Sequence, residues 1–252
     1  MSTGRVIAVG SGKGGVGKSS VAVGLARALR DRGQKTGILD ADIYGPDIPL
    51  MLGVTRTAPT RHITVWKPAG RGGPDIRPLR ADGLSVMSLQ FLLGEGQAFA
   101  AAGPLASLMI ARLSTDVNWG DLDFLVVDLP PGTGDVSQGI VSSLSVAAAI
   151  VVVTPQDVAH LDTRKMLDFF RLRKVRVLGG VENMTTVECP HCQHDFPLFH
   201  GSDGRPTIWD EGVARLASLP FDPGGFEVNG RGAAAASLGA LADRLLLEFP
   251  AR

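Results

Sequence analysis

The sequence predicts an α/β protein in which a doubly wound, mostly parallel sheet is covered by helices on both faces. Short apolar runs alternate along the chain with stretches of helical periodicity, an order that is typical of parallel sheets. The central runs are almost continuously apolar, as strands buried on both faces are. Several of these runs end in a glycine loop or an aspartate, and in this fold ligands bind beyond the carboxyl ends of the strands.

A strand, a helix and a second strand are predicted at the start of the chain. Residues 5–9 form an apolar run of strand length, and residues 18–30 repeat apolar residues on one helical face. Residues 35–39 form the next apolar run, which Asp40 closes. The chain thus begins with the β–α–β order of a parallel sheet.

The middle of the chain is less regular. Residues 41–83 are rich in Pro and Gly, which predicts irregular structure with a hairpin at 62–67. Residues 84–89 predict a strand, and 94–103 a loop of small residues. Residues 104–113 predict a helix with a proline near its first turn.

Regular alternation returns in the second half. Apolar runs of strand length lie at 124–127, 147–153 and 175–181, and a short apolar stretch follows at 214–219. Asp157 is positioned to cap a helix that extends to about residue 173, and residues 238–249 predict a last helix. Residues 182–210, which lie between the apolar runs at 175–181 and 214–219, are polar and carry the two cysteines. We therefore expect a single nucleotide-binding domain over residues 1–252 with an insertion at about 182–210.

The composition limits the kinds of partner. Lys plus Arg and Asp plus Glu number 25 each, so no general field attracts nucleic acid or an anionic membrane. The longest apolar run, at 146–153, is far shorter than the ~20 residues that span a bilayer. No secretory signal is recognisable at the start. We expect a cytoplasmic protein that binds neither nucleic acid nor membrane.

A phosphate-binding loop joins the first strand to the first helix. Gly12, Gly17, Lys18 and Ser19 match the pattern G-x-x-x-x-G-K-[ST] in the required strand–loop–helix context. Glycines let successive backbone N–H groups point at phosphate oxygens, and the helix N-terminus adds its positive dipole end. We expect Lys18 to contact the β- and γ-phosphates and the Ser19 hydroxyl to bind Mg²⁺. The predicted nucleotide contacts in this loop are Gly12, Lys13, Gly14, Gly15, Val16, Gly17, Lys18, Ser19 and Ser20.

The loop contains a second lysine, Lys13. Without further information, this additional cation would be interpreted as a solvated surface lysine. With this lysine the loop resembles the deviant Walker A ATPases, a group that includes MinD and ParA. The resemblance implies that Lys13 acts in catalysis across a homodimer, on the nucleotide of the partner.

Carboxylates follow two of the predicted strands. Asp128 ends the strand at 124–127 and precedes a Leu-Pro-Pro-Gly-Thr-Gly loop, where an aspartate can hold Mg²⁺, usually through water. Asp40 and Asp42 follow the second strand, and hydrolysis of ATP needs a group that positions the attacking water. The residues alone do not show whether Asp40 or Asp42 positions the attacking water. The resemblance assigns Asp42 to the water and leaves Asp40 as a supporting carboxylate near Mg²⁺.

The two cysteines, Cys189 and Cys192, have C-x-x-C spacing within the polar insertion. One such pair is half of a four-thiolate site, and a symmetric dimer would supply the other half for a [4Fe–4S] cluster or Zn²⁺. Alternatively, His191, His194 and His200 could complete a zinc site within one chain. A redox disulfide is a further possibility, although the usual βαβ context is missing.

Together the motifs resemble the Mrp/ApbC iron–sulfur cluster carriers, ATPases of the same P-loop superfamily. The phosphate loop, Asp40 to Asp47, Asp128 to Asp135, Asn183 and the cysteine pair occur in the family's order. The resemblance implies a homodimeric ATPase that uses ATP and Mg²⁺, binds a [4Fe–4S] cluster between subunits and passes it to apo iron–sulfur proteins. It also implies that Asn183 contacts the adenine.

One loop departs from the family pattern. Family members commonly have Trp-Arg-Gly-Pro before the helix predicted at 104–113, whereas this chain has Ala-Ala-Gly-Pro at 101–104.

Two other functions use many of the same motifs. A positioning ATPase of the MinD or ParA type shares the two lysines of the phosphate loop and an aspartate of the predicted site. However, the last helix carries Asp243 and Glu248 beside Arg244, which favours core packing over membrane binding. A zinc-binding regulatory ATPase would use the cysteine pair without an iron–sulfur cluster.

Overall fold

The computed structural model describes residues 4–42, 45, 47–54, 76–92, 112–113, 116–199, 204–221 and 234–250. Three predicted features lie outside these residues: the hairpin at 62–67, the loop at 94–103 and all but the last two residues of the helix at 104–113.

The described residues form five α-helices and ten strands. The helices are α1 (Lys18–Asp31), α2 (Ile48–Met51), α3 (Asp135–Ser143), α4 (Asp157–Leu172) and α5 (Ala234–Glu248). The strands are β1 (Arg5–Ser11), β2 (Thr36–Asp40), β3 (Leu79–Ala81), β4 (Leu84–Ser88), β5 (Phe124–Asp128), β6 (Val146–Val153), β7 (Val177–Glu182), β8 (Thr186–Glu188), β9 (Asp195–Pro197) and β10 (Arg215–Ser218). A 3₁₀ turn follows β4 at Leu89–Leu92.

Eight strands form one sheet in the order β10-β7-β6-β1-β5-β2-β4-β3. All neighbours are parallel except β3 and β4. The chain moves in one direction across the sheet from β1 to β2 and in the other from β6 to β7. Because such crossovers are right-handed, α1 and α4 cover opposite faces. The predicted doubly wound α/β fold is confirmed.

The core follows from the apolar strands and the helix faces that cover them. In β6, residues 148–153 are fully buried, and Phe124 and Phe170 are among the largest fully buried side chains. On one face α5 packs on α1, and on the other α4 packs on β6 and β1. The register aligns Asp40 of β2 with Asp128 of β5, so both carboxylates lie at the same edge of the sheet.

The structure adds elements that the sequence patterns did not predict. Strands β8 and β9 pair as an antiparallel hairpin within the polar insertion, and β3 pairs with β4. These strands have three residues each and partly or fully exposed side chains, so they lack the apolar alternation that identifies a strand. The last helix already includes Ala234, the first described residue of its segment and four residues before the predicted start. No helix formed by the described residues is both long and apolar enough to cross a bilayer.

Candidate functional site

The phosphate loop occupies residues 12–17, between the last residue of β1 and the first residue of α1. Gly15 and Gly17 have φ angles of 79° and 80°, in the left-handed region that glycine adopts without strain. Gly12 lies so close to α4 that an added Cβ would fall 2.2 Å from the backbone carbon of Asp162. These glycines therefore fix both the curl of the loop and its position against α4.

Lys18 and Asp128 form a buried ion pair at the carboxyl edge of the sheet. The Lys18 ammonium donates to Asp128 Oδ1 at 2.6 Å and lies 3.9 Å from Asp42 Oδ2. The Ser19 hydroxyl donates to the other Asp128 oxygen at 2.6 Å. Three predicted site residues, from the loop and from β5, are thus brought into direct contact, with Asp42 beside them.

Asp40 is buried beside this ion pair. It accepts hydrogen bonds from the Ser88 hydroxyl at 3.1 Å and from the backbone N–H of Asp42 at 3.2 Å. Burial, and then the neighbouring charge of Asp128, raise the pKa of Asp40 well above its usual value. Burial also raises the pKa of Asp128, although Lys18 opposes this effect. The site therefore places two buried carboxylates beside one lysine.

A cavity of ≈ 320 Å³ opens beside these groups. Its lining comes from the phosphate loop, from the segment after β2 and from residues after β5 and β7: Ser11, Lys13, Gly14, Gly15, Gly17, Lys18, Ser19, Ser20, Asp42, Gly45, Asp47, Met51, Pro131 and Met184. Its size suits a small-molecule ligand such as a nucleotide.

Lys13 is partly buried at the edge of the cavity. Its ammonium donates to Gln156 Oε1 at 3.1 Å, and its carbonyl accepts from the Ser11 hydroxyl at 2.9 Å. Gln156 precedes α4 and was not among the predicted site residues. Nothing in its local sequence marks it, because the contact joins residues that are 143 positions apart.

Asn183 follows β7 and reaches the phosphate loop from the side. Its amide nitrogen donates to the Val16 carbonyl at 2.9 Å, and only 5% of the residue is exposed. Its own backbone N–H donates to the carbonyl of Val153, the last residue of β6. The next residue, Met184, has a φ of 60° and lines the cavity.

The cysteine pair lies in the turn of the β8–β9 hairpin. The N–H of Cys189 donates to the His194 carbonyl, and the N–H of Gln193 donates back to the Cys189 carbonyl. Both thiols are free; Cys189 is half-buried and Cys192 exposed. N–H groups of Cys192 and His191 point at the Cys189 sulfur and, with the Cys192 thiol, lower the pKa of Cys189. A lowered pKa favours the thiolate, which is the form of cysteine that binds metals.

The described residues do not complete a metal site around this pair. Nowhere among them do three His, Cys, Asp or Glu side chains come together in a metal-binding group. His191 and His194 therefore do not join the two cysteines in a zinc site, and His200 lies outside the described residues. Among the described residues, the hairpin thus presents two thiols without a third potential metal ligand.

A polar cluster lies at the end of β7, with Glu182 buried and Arg215 exposed. Glu182 ends β7 directly before Asn183 and accepts a hydrogen bond from Trp209 Nε1 at 3.2 Å. Arg215 pairs with the same carboxylate at 3.2 Å and lies over the Trp209 ring. The cluster fixes the end of β7, from which the chain passes to the cavity and then to the cysteines.

Comparison with known proteins gives a consistent result. The ParA family model, described as NUBPL iron-transfer P-loop NTPase, matches residues 2–241. An iron–sulfur cluster carrier protein of Haemophilus influenzae is 45% identical over 222 residues, which are 86% of this chain and 56% of that protein. The chain thus spans about half the length of this curated relative.

Solved structures agree with the fold. A nucleotide-binding protein of Archaeoglobus fulgidus, in complex with ADP, is 31% identical, with a TM-score of 0.69 over 99% of this chain and 93% of its own. The septum site-determining protein MinD of Pyrococcus horikoshii, 21% identical, superposes with a TM-score of 0.65 over 96% of both chains and shows the fold alone.

Proposed function

The chain belongs to the NUBPL iron-transfer P-loop NTPase family, and from that premise we propose that it is an ATP-hydrolysing carrier of iron–sulfur clusters. One observation carries the proposal. A hairpin with two free thiols, Cys189 and Cys192, begins three residues after Asn183, whose side chain contacts the phosphate loop. Nucleotide and cluster would therefore be held by one continuous segment of chain.

We place the cluster between two copies of the chain. Two thiolates supply half of the ligands of a [4Fe–4S] cluster, and the described residues of one chain bring no third ligand to them. A two-fold axis beside the hairpin would bring a second, identical pair. The cluster is the cargo in this proposal, and apo iron–sulfur proteins are its acceptors.

The residues at the phosphate loop fit Mg²⁺ and ATP. Ser19 and Asp128 offer a hydroxyl and carboxylate oxygens, the ligands that Mg²⁺ takes in nucleotide sites, where the ion neutralises charge on the phosphates. Lys18 would contact the β- and γ-phosphates, and the N–H groups of residues 12–20 would hold the phosphate oxygens. Asp42, at the cavity wall, would position the attacking water, with Asp40 and Asp128 as supporting carboxylates.

Lys13 and the hairpin complete the mechanism that we propose. Lys13 would leave Gln156 and contact the nucleotide of the partner subunit, so that hydrolysis requires the dimer. ATP binding would move the loops after Asp42 and Asp128 and, through residues 183–189, change how firmly the hairpin holds the cluster. Hydrolysis would be slow, since it serves to time cluster transfer. Free thiols act as cluster ligands in a reducing compartment, so we place the protein in the cytoplasm.

The test is anaerobic reconstitution with iron and sulfide, followed by measurement of iron, sulfide and particle mass. We expect about four iron and four sulfide per dimer. Cys189→Ala should lose the cluster and keep ATP binding, whereas His194→Ala is the matched control on the same turn and should keep both. Stoichiometric zinc without iron would identify a zinc-binding regulatory ATPase instead, and a full complement of iron in Cys189→Ala would exclude the shared site.

A further inference from the structure

The side chain of Asn183 is directed at the backbone of the phosphate loop. Its amide nitrogen donates to the Val16 carbonyl at 2.9 Å in a buried environment. The same nitrogen lies 2.1 Å from the position that a Cβ on Gly17 would occupy. The peptide between Val16 and Gly17 is thus in direct contact with this amide, and only glycine leaves room for it.

The hydrogen bond to the Val16 carbonyl also fixes the direction of the Gly17 N–H, because both groups belong to the same peptide unit. A trans peptide is planar, and its C=O and N–H point in opposite directions. Because Asn183 lies on the side of the Val16 carbonyl, the N–H of Gly17 points away from Asn183. Gly17 lines the cavity together with Gly15, Lys18 and Ser19, the residues of the phosphate-binding motif.

Asn183 is itself held firmly. Its backbone N–H is bonded to Val153, at the end of the neighbouring central strand β6. The preceding residue, Glu182, is fixed by Trp209 and Arg215. A side chain anchored to two strands of the sheet can hold a flexible glycine loop in one orientation.

We propose that Asn183 is a positioning residue that orients the Gly17 N–H toward the phosphates of the bound nucleotide. The proposal rests only on the nucleotide-binding part of the function given above and does not depend on cluster transfer. It assigns to Asn183 a role toward the phosphates, which is distinct from a contact with the adenine base. The two roles separate experimentally, because a ligand without a base tests the first alone.

The experiment compares the dissociation constants of Mg-ATP and Mg-tripolyphosphate for the wild-type chain and Asn183→Ala. Loss of one buried hydrogen bond to the loop should weaken both ligands by a similar factor, about tenfold. Asn118→Ala, which removes an exposed amide outside the cavity, is the control and should change neither value. A loss confined to Mg-ATP would mean that Asn183 contacts only the base, and an unchanged affinity for both ligands would equally overturn the proposal.

Asn183→Asp and hydrogen exchange provide independent readouts. A carboxylate keeps an acceptor for the adenine amino group but cannot donate to Val16, so Asn183→Asp should weaken both ligands as Asn183→Ala does. In the nucleotide-free protein, amides of residues 14–19 should exchange several-fold faster in both variants than in the wild-type chain. Exchange equal to wild type in a variant with an unchanged melting temperature would show that Asn183 does not hold the loop.

Discussion

At the scale of single residues, the site contains more carboxylates than ammonium groups to neutralise them. Asp128 and Asp42 lie 2.6 and 3.9 Å from the Lys18 ammonium, Asp40 is paired in register with Asp128, and both Asp40 and Asp128 are fully buried. Buried carboxylates with too few cations destabilise the nucleotide-free protein, and their pKa values rise accordingly. A bound Mg²⁺ would relieve this imbalance, so the site is built at a cost to stability that the ligand offsets.

We predict that Asp40→Asn stabilises the nucleotide-free protein at pH 8. The pKa of Asp40 is higher in the folded than in the unfolded chain, so ionisation favours unfolding as the pH rises above about 4, the unfolded value, toward the folded one. The neutral amide avoids this penalty and should raise the free energy of unfolding on the order of 1 kcal/mol, since one pKa unit corresponds to about that amount.

Urea denaturation at pH 5 and pH 8 without nucleotide tests this prediction. The gain in stability from Asp40→Asn should be larger at pH 8 than at pH 5, and binding of Mg-ATP should weaken. Asp121→Asn, an exposed carboxylate paired with Lys35, is the control and should show no such pH-dependent gain. A variant that is no more stable than wild type at pH 8 would contradict the argument.

At the scale of elements, the β8–β9 hairpin is the part of the fold that presents the thiols. Its turn is closed by the hydrogen bond from Gln193 N–H to the Cys189 carbonyl, and Gln193 has a φ of 58°. The same turn brings the N–H groups of His191 and Cys192 to the Cys189 sulfur. The geometry of the cysteine pair therefore depends on a backbone conformation that few residues adopt easily.

We predict that Gln193→Val impairs cluster binding without affecting ATP binding. A β-branched residue is strongly disfavoured at this φ, and the strain of about 1–2 kcal/mol should open the turn and lower cluster retention about tenfold. Gln193→Gly, which adopts the conformation freely, should retain the cluster. Iron content after anaerobic reconstitution is the measurement, with ATP affinity determined on the same samples; equal iron in the Val and Gly variants would count against a role for the turn.

At the scale of the whole molecule, two features favour a homodimer. Within the described residues the cysteine pair has no third metal ligand. Lys13, the second lysine of the phosphate loop, is hydrogen-bonded to Gln156 at the edge of the cavity. A dimer that pairs the cysteines and exchanges the lysines would give both features a function at once.

We predict that Lys13→Ala and Lys18→Ala are each inactive as ATPases but complement one another when mixed. Lys18→Ala removes nucleotide binding from its own subunit and still offers Lys13 to the partner, whereas Lys13→Ala binds nucleotide and needs that lysine. Random exchange makes half of the dimers mixed, each with one complete site, so activity should recover to about a quarter of the wild-type value. A mixture as inactive as the separate variants would show that Lys13 does not act across the dimer.

Features that are encoded by a few consecutive residues could be predicted from the sequence. The phosphate loop, Asp128 at the end of its strand and the cysteine pair are each contained in a few consecutive residues, and the structure brings the first two into contact. The family was recognised from the order of these motifs and is confirmed by the family match over residues 2–241. Strand β7 begins at Val177, two residues later than the apolar run suggested, because the first residues of that run belong to the turn after α4.

The sequence by itself determined the α/β fold and the position of the glycine loop between β1 and α1, because apolar periodicity and local backbone geometry are encoded by neighbouring residues. Only the tertiary structure decided which distant groups meet that loop. Gln156 reaches Lys13, Asn183 reaches Val16, and Asp40 is brought beside Asp128 through the register of β2 and β5. These contacts join residues separated by 88 to 167 positions, so they depend on strand order and register, which no local pattern specifies.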